Sequence, residues 1–130
     1  MNFVSTEESP AAIGPYSQAV IAQGLVYTSA QLGLLPNGEL ADDGVRKQMH
    51  QIMKNLYYVL EASGSQFSDV IKTTIYLEDM RDFEAMNEIY THHFEDHKPA
   101  RSTLAVRSLP KGVKIAIDCI AVAHADADFG

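Results

Sequence analysis

Residues 45–77, VRKQMHQIMKNLYYVLEASGSQFSDVIKTTIYL, decide the fold. In the first half, Val45, Met49, Ile52, Leu56, Val59 and Leu60 recur at three- and four-residue intervals, which puts them on one face of a helix of about five turns. Asp42 and Asp43 offer carboxylates to cap its start, and Gly64 falls where the helix would end. The second half, Val70-Ile71-Lys72-Thr73-Thr74-Ile75-Tyr76-Leu77, is dense in β-branched residues and predicts a strand.

Working outward, residues 79–82 lead from that strand into a second helix whose buried face carries Phe83, Met86, Ile89, Tyr90 and Phe94. Two more strands are expected at residues 102–106 and 113–122, parted by Ser108-Leu109-Pro110-Lys111-Gly112. Before the first helix, residues 18–22 and 25–29 flank Gln23-Gly24 and read as a β-hairpin, and Asn37-Gly38 marks another turn. The order ββ(β)αβαββ implies an α+β domain with two helices on one face of a mixed sheet. The other face carries too many apolar side chains to stand in water. Further copies of the chain are expected to cover it, which makes a homo-oligomer. A single domain is expected over residues 1–123, followed by a frayed acidic tail at 124–130.

Composition narrows the function classes. With 21% charged and 46% hydrophobic residues, the chain has the balance of a globular protein. Its apolar runs are too short to cross a bilayer and the N-terminus has no signal-peptide pattern, so a cytosolic setting is expected. A net charge of −7 opposes a broad nucleic-acid surface, because phosphate binding rests on clustered Lys and Arg. The lone Cys119 lies in an apolar run and reads as a buried structural thiol.

Arg101, in the Pro99-Ala100-Arg101-Ser102 turn, is the first candidate for chemistry. Its planar fork at a strand end matches a carboxylate, against the blander reading of a surface ion pair. Tyr16 follows the Gly14-Pro15 turn, which aims its ring in a defined direction. Ser29 has no nucleophile elbow around it and suits hydrogen bonding better than catalysis. His93 and His97 have the four-residue spacing of a metal pair, with His92 beside them, but a helix C-terminus favours histidines in any case and no third ligand is evident. His50, next to the apolar stripe, reads as solvated.

Six stretches together resemble the Rid (YjgF) family: Ala11-Ala12-Ile13-Gly14-Pro15-Tyr16-Ser17-Gln18, Tyr27-Thr28-Ser29-Ala30-Gln31, Val70-Ile71-Lys72-Thr73-Thr74, Asn87-Glu88-Ile89-Tyr90, Pro99-Ala100-Arg101-Ser102 and Leu109-Pro110-Lys111-Gly112-Val113-Lys114-Ile115. The resemblance implies a chorismate-mutase-like α+β fold, a homotrimer with ligand clefts between neighbours, and neither metal nor organic cofactor. It also implies hydrolytic deamination of small 2-imino acids, such as 2-iminobutanoate and 2-iminopropanoate, to 2-oxo acids and ammonia. Arg101 would bind the substrate carboxylate, with Tyr16, Ser29 and Asn87 lining the cleft.

Two positions depart from the family pattern. Thr103 stands where a cysteine is common, and Ala116 stands where a glutamate orients the attacking water. The resemblance thus leaves Arg101, Thr103 and Asp118 as the catalytic set. Asp118 faces the same side of its strand as Ala116, displaced by about 6 to 7 Å. The alternative expectation is a non-catalytic or regulatory trimer that binds 2-oxo acids. A ribonuclease, as described for some relatives, lacks a basic groove here.

Overall fold

The computed structural model describes residues 1–124. Its elements are β1 (Asn2–Val4), β2 (Ala19–Ala22), β3 (Leu25–Thr28), β4 (Gln31–Leu32), α1 (Val45–Ala62), β5 (Val70–Leu77), α2 (Phe83–Phe94), β6 (Ala100–Ala105) and β7 (Ile115–Val122). One seven-stranded sheet runs β1-β2-β3-β7-β5-β6, with β4 also paired to β7. Among the described strands only β5 and β6 are parallel, joined by the α2 crossover, so the sheet is mixed as expected. Both helices pack on one face, where Met49, Ile52, Leu56, Met86 and Phe94 meet Ile75, Ile115 and Ile117.

The differences from expectation have local causes. Strand β1 was not anticipated: it is three residues long and buries only Val4, too little for a periodic signal. Asp42 does not cap α1. The N-cap is Gly44, whose side-chain-free backbone leaves Asp42 to accept the Gly44 amide at 2.8 Å in a turn before the helix. Strand β6 opens at Ala100, because its ladder to β5 begins with the pair Lys72 and Ala100, and this places Arg101 inside a strand. Strand β7 opens at Ile115 because the Lys114 amide donates to Gln48 Oε1 at 2.8 Å instead of joining the ladder. The Gln23-Gly24 hairpin is present, with φ of 52° and 78° as a tight primed turn requires. The expected frayed tail lies outside the described residues apart from His124, whose ring contacts Asp69 Oδ1 at 2.9 Å and whose amide donates to the Gly64 carbonyl at 3.0 Å. Among the described residues, no helix is long and apolar enough to cross a membrane.

The second face of the sheet carries Tyr27, Leu104 and Val122, all exposed. The segment after β4 is fastened against α1 by Asn55. This fully buried amide donates to the carbonyls of Leu32 at 3.1 Å and Leu34 at 2.9 Å. Gly33 is needed between them, since a Cβ there would lie 2.8 Å from Gln48 Cα. Asn55→Leu keeps the branched shape with somewhat more bulk but removes both donations, leaving the Leu34 carbonyl without its side-chain partner while the Leu32 carbonyl still accepts the Leu34 amide at 2.8 Å. It is expected to lower stability by about 2 to 4 kcal/mol, read as a fall in urea midpoint at constant m. A change under about 0.5 kcal/mol would mean that water replaces the amide.

Candidate functional site

A cavity of about 630 Å³ opens on the sheet face away from the helices, floored by Tyr76, Ala116 and Asp118 and rimmed by Tyr16, Ser29 and Lys111. Tyr16 is aimed by a tight turn in which its amide donates to the Gly14 carbonyl at 2.8 Å. The segment behind it is anchored by buried Gln18, whose Nε2 donates to the carbonyls of Thr6, Ser9 and Pro10 at 3.1, 3.3 and 2.8 Å. Ser29 Oγ donates to the Ser17 carbonyl at 2.6 Å, and the Ser29 amide donates to the Gln18 carbonyl at 2.9 Å. With its hydroxyl proton engaged, Ser29 can offer only an acceptor to a ligand. On the floor, Tyr76 Oη donates to Asp118 Oδ2 at 2.8 Å. That hydrogen bond, more than burial or the carboxylate charge, raises the Tyr76 pKa above the ordinary phenol value.

Arg101 lies elsewhere. Its Nη1 donates to Asn87 Oδ1 at 2.6 Å, and its guanidinium stacks over the rings of Tyr90 at 4.9 Å and Phe83 at 5.6 Å. Tyr90 is in turn fixed by a 2.9 Å hydrogen bond between its hydroxyl and that of Thr73. The fork is therefore oriented by α2 on three sides, yet it forms no ion pair among the described residues. A smaller cavity of about 260 Å³ opens beside Arg101 and Asn87.

Strand register explains the separation. Thr73 pairs with both Arg101 and Cys119, whereas Thr74 pairs with Asp118 and Tyr76 with Ala116. Side chains alternate along a strand, so Arg101 and Thr103 point to the helix side while Tyr76, Ala116 and Asp118 point to the other. Thr103 pairs with Ile75, and its Oγ1 is buried with no hydrogen-bond partner among the described residues. The site residues expected from sequence thus form two groups within one chain. Tyr16, Ser29 and Asp118 share the large cavity, and Arg101 with Asn87 sits at the β6 edge against α2.

Two lining side chains were passed over at the sequence level. Tyr76 read only as a strand former, although its alternation with the apolar Ile75 and Leu77 was a usable sign that it faces outward. Lys111 brings the one cation among the described residues lining the large cavity, from a turn in which its φ is 59°.

The remaining candidates resolve into structural roles. His93 and His97 do not converge: the His97 ring nitrogen contacts the Val70 carbonyl at 2.6 Å, and His93 Nε2 lies 3.3 Å from Nδ1 of His50. Cys119 is buried on the helix side, and burial pushes its thiol up to about 12, so it stays protonated and is a poor nucleophile at neutral pH.

The chain is similar in sequence to "Reactive Intermediate Deaminase A, chloroplastic" of Arabidopsis thaliana, at 50% identity over 119 residues covering 91% of this chain and 64% of that protein. It therefore spans less than two thirds of that relative's length. It is 43% identical over 120 residues to the 2-iminobutanoate/2-iminopropanoate deaminase of Homo sapiens, covering 92% of this chain and 88% of that one. In structure it superposes on Escherichia coli TdcF with bound serine at a TM-score of 0.90 and 36% identity, covering 95% of this chain and 100% of the other. The family described as Endoribonuclease L-PSP matches residues 6–123, and with identities this high over almost its whole length the chain belongs to that family, the Rid (YjgF) family of deaminase relatives.

Proposed function

We propose that this chain hydrolyses small 2-imino acids, such as 2-iminobutanoate and 2-iminopropanoate, to 2-oxo acids and ammonia. The observation that carries the reading is Arg101: its guanidinium is held in place by Asn87, Tyr90 and Phe83, and no acidic side chain among the described residues neutralises it. A planar cation kept oriented and unpaired is a ready receptor for a substrate carboxylate. The human relative is named for imino-acid substrates, and the serine in TdcF carries the same α-carboxylate.

A carboxylate held by Arg101 of one copy is best matched to the large cavity of a neighbour, as a homotrimer with shared clefts would allow. The separation of the two residue groups supports this, as do the exposed Tyr27, Leu104 and Val122 on the cavity side of the sheet. In such a cleft Arg101 offsets the carboxylate charge, Tyr16 packs on the substrate, and water adds to the C=N carbon before ammonia departs.

The test is ammonia release from 2-iminobutanoate generated in place by a threonine dehydratase. Micromolar protein is expected to accelerate it by about 10²-fold over buffer. Equal rates with and without protein would reject the reading. Ala116, which puts only a methyl group on the cavity floor, favours one alternative: a non-catalytic trimer that binds 2-oxo acids. Calorimetric binding of 2-oxobutanoate without any rate enhancement would establish that alternative.

A further inference from the structure

We propose that Tyr76 and Asp118 form the water-activating couple of the large cavity, the Tyr76 hydroxyl holding the attacking water and the Asp118 carboxylate receiving its proton. The inference rests on the hydrolytic reading above and names the groups that would perform its central step.

Adding water to a C=N bond needs an acceptor for the water proton. Among the described residues lining the cavity, Asp118 is the one carboxylate, and its Oδ2 already accepts the Tyr76 hydroxyl at 2.8 Å. The raised Tyr76 pKa keeps the phenol protonated, so the tyrosine is the donor of this pair. Its oxygen lone pairs remain open to accept a hydrogen bond from water in the cavity, and Asp118 Oδ1 remains open as well.

The strand register explains how the couple forms. Tyr76 stands directly across from Ala116, and Asp118 is the diagonal neighbour two residues along β7, a separation of about 7 to 8 Å that an aromatic side chain bridges. The buried methyl of Ala116 leaves the Tyr76 ring free to lean toward Asp118. A long side chain at 116 would contend with the ring for that space. Ala116 and the couple therefore belong to one arrangement.

The step balances with water as the only co-reactant. The water oxygen forms a bond to the imine carbon while the C=N π pair moves to nitrogen, which takes a proton from solvent. The water proton passes to Tyr76 Oη as the phenol proton passes to Asp118, or goes to Asp118 directly. The protonated Asp118 then returns a proton to the carbinolamine nitrogen. Ammonia leaves with the C–N pair, the hydroxyl proton is lost, and the C=O bond forms.

The experiment measures steady-state deamination of 2-iminobutanoate by the intact oligomer of wild type, Tyr76→Phe, Asp118→Asn and the double variant, with thermal unfolding of each. Tyr76→Phe is expected to lower kcat about tenfold, and Asp118→Asn about 10²-fold, both at nearly constant KM and melting temperature. The double variant should be no slower than Asp118→Asn alone, because the two groups act as a unit. A wild-type rate equal to buffer removes the hydrolytic reading together with this one. An active wild type whose Tyr76→Phe variant keeps full kcat, or whose two losses simply multiply, overturns the couple and leaves the hydrolytic reading standing.

Discussion

Arg101→Ala should lower kcat/KM for 2-iminobutanoate by about 10²- to 10³-fold, chiefly through KM. Removing one partner of a desolvated, hydrogen-bonded charge pair typically costs about 2 to 5 kcal/mol, and each 1.36 kcal/mol is tenfold in rate, so the expected range sits in the middle of that span. The substrate carboxylate would then enter the cleft with no cation facing it. Lys111 is the one cation among the described residues lining the large cavity within a chain, but it is exposed, at the rim. Arg101→Lys separates charge from geometry. It restores a positive charge but neither the fork nor the stacking on Tyr90 and Phe83, and a residual loss of about tenfold is expected. Fold should be little affected, because Arg101 lies half-buried at an edge strand, and matched melting curves would document this. Unchanged KM in Arg101→Ala would place carboxylate recognition elsewhere.

The residue that makes the largest predicted difference was legible in the sequence, but its surroundings were not. On chemistry alone, a planar cation after a proline turn suits either a carboxylate ligand or a surface ion pair, and the family resemblance favours the first. Which face of the sheet it takes depends on the pairing of Thr73 with Arg101, a non-local fact that ARSTLA, with polar and apolar residues at both parities, does not encode. Long periodic elements were readable for the opposite reason. The α1 stripe repeats over many residues, and its buried face follows from spacing alone. Boundaries failed where a side chain from afar intervened. Gln48 takes the Lys114 amide out of the β7 ladder, and Gly44 assumes the cap position that Asp42 and Asp43 suggested for themselves. Tyr76 carried too ordinary a signal in the strongest strand to be singled out. Only its register opposite Ala116 reveals a hydroxyl beside Asp118.

Mixing two inactive variants should restore activity if the site is shared between chains. Arg101→Ala removes the carboxylate receptor on the helix side of the sheet, and Asp118→Asn removes the acceptor on the cavity side, so each pure assembly has every site damaged. In the proposed assembly, closed through head-to-tail contacts, the helix-side edge of one chain would meet the cavity of the next. With equal amounts co-refolded at random, half of the Arg101 positions and half of the Asp118 positions are intact. About one quarter of the shared sites would then pair an intact arginine with an intact aspartate, and specific activity should rise to about one quarter of wild type. If both residues served a site within one chain, no mixture could rebuild it and activity would stay at the level of the parents. The doubly substituted chain provides the complementary reading. Diluting wild type with an equal amount of Arg101→Ala/Asp118→Asn should leave about one quarter of shared sites intact, against about one half for sites within a single chain. The two mixtures depart from the single-chain expectation in opposite directions, upward in the first and downward in the second. Misfolding or incomplete exchange of subunits cannot reproduce both, so the pair of results ties the separation of Arg101 from Asp118 directly to how the cleft is assembled.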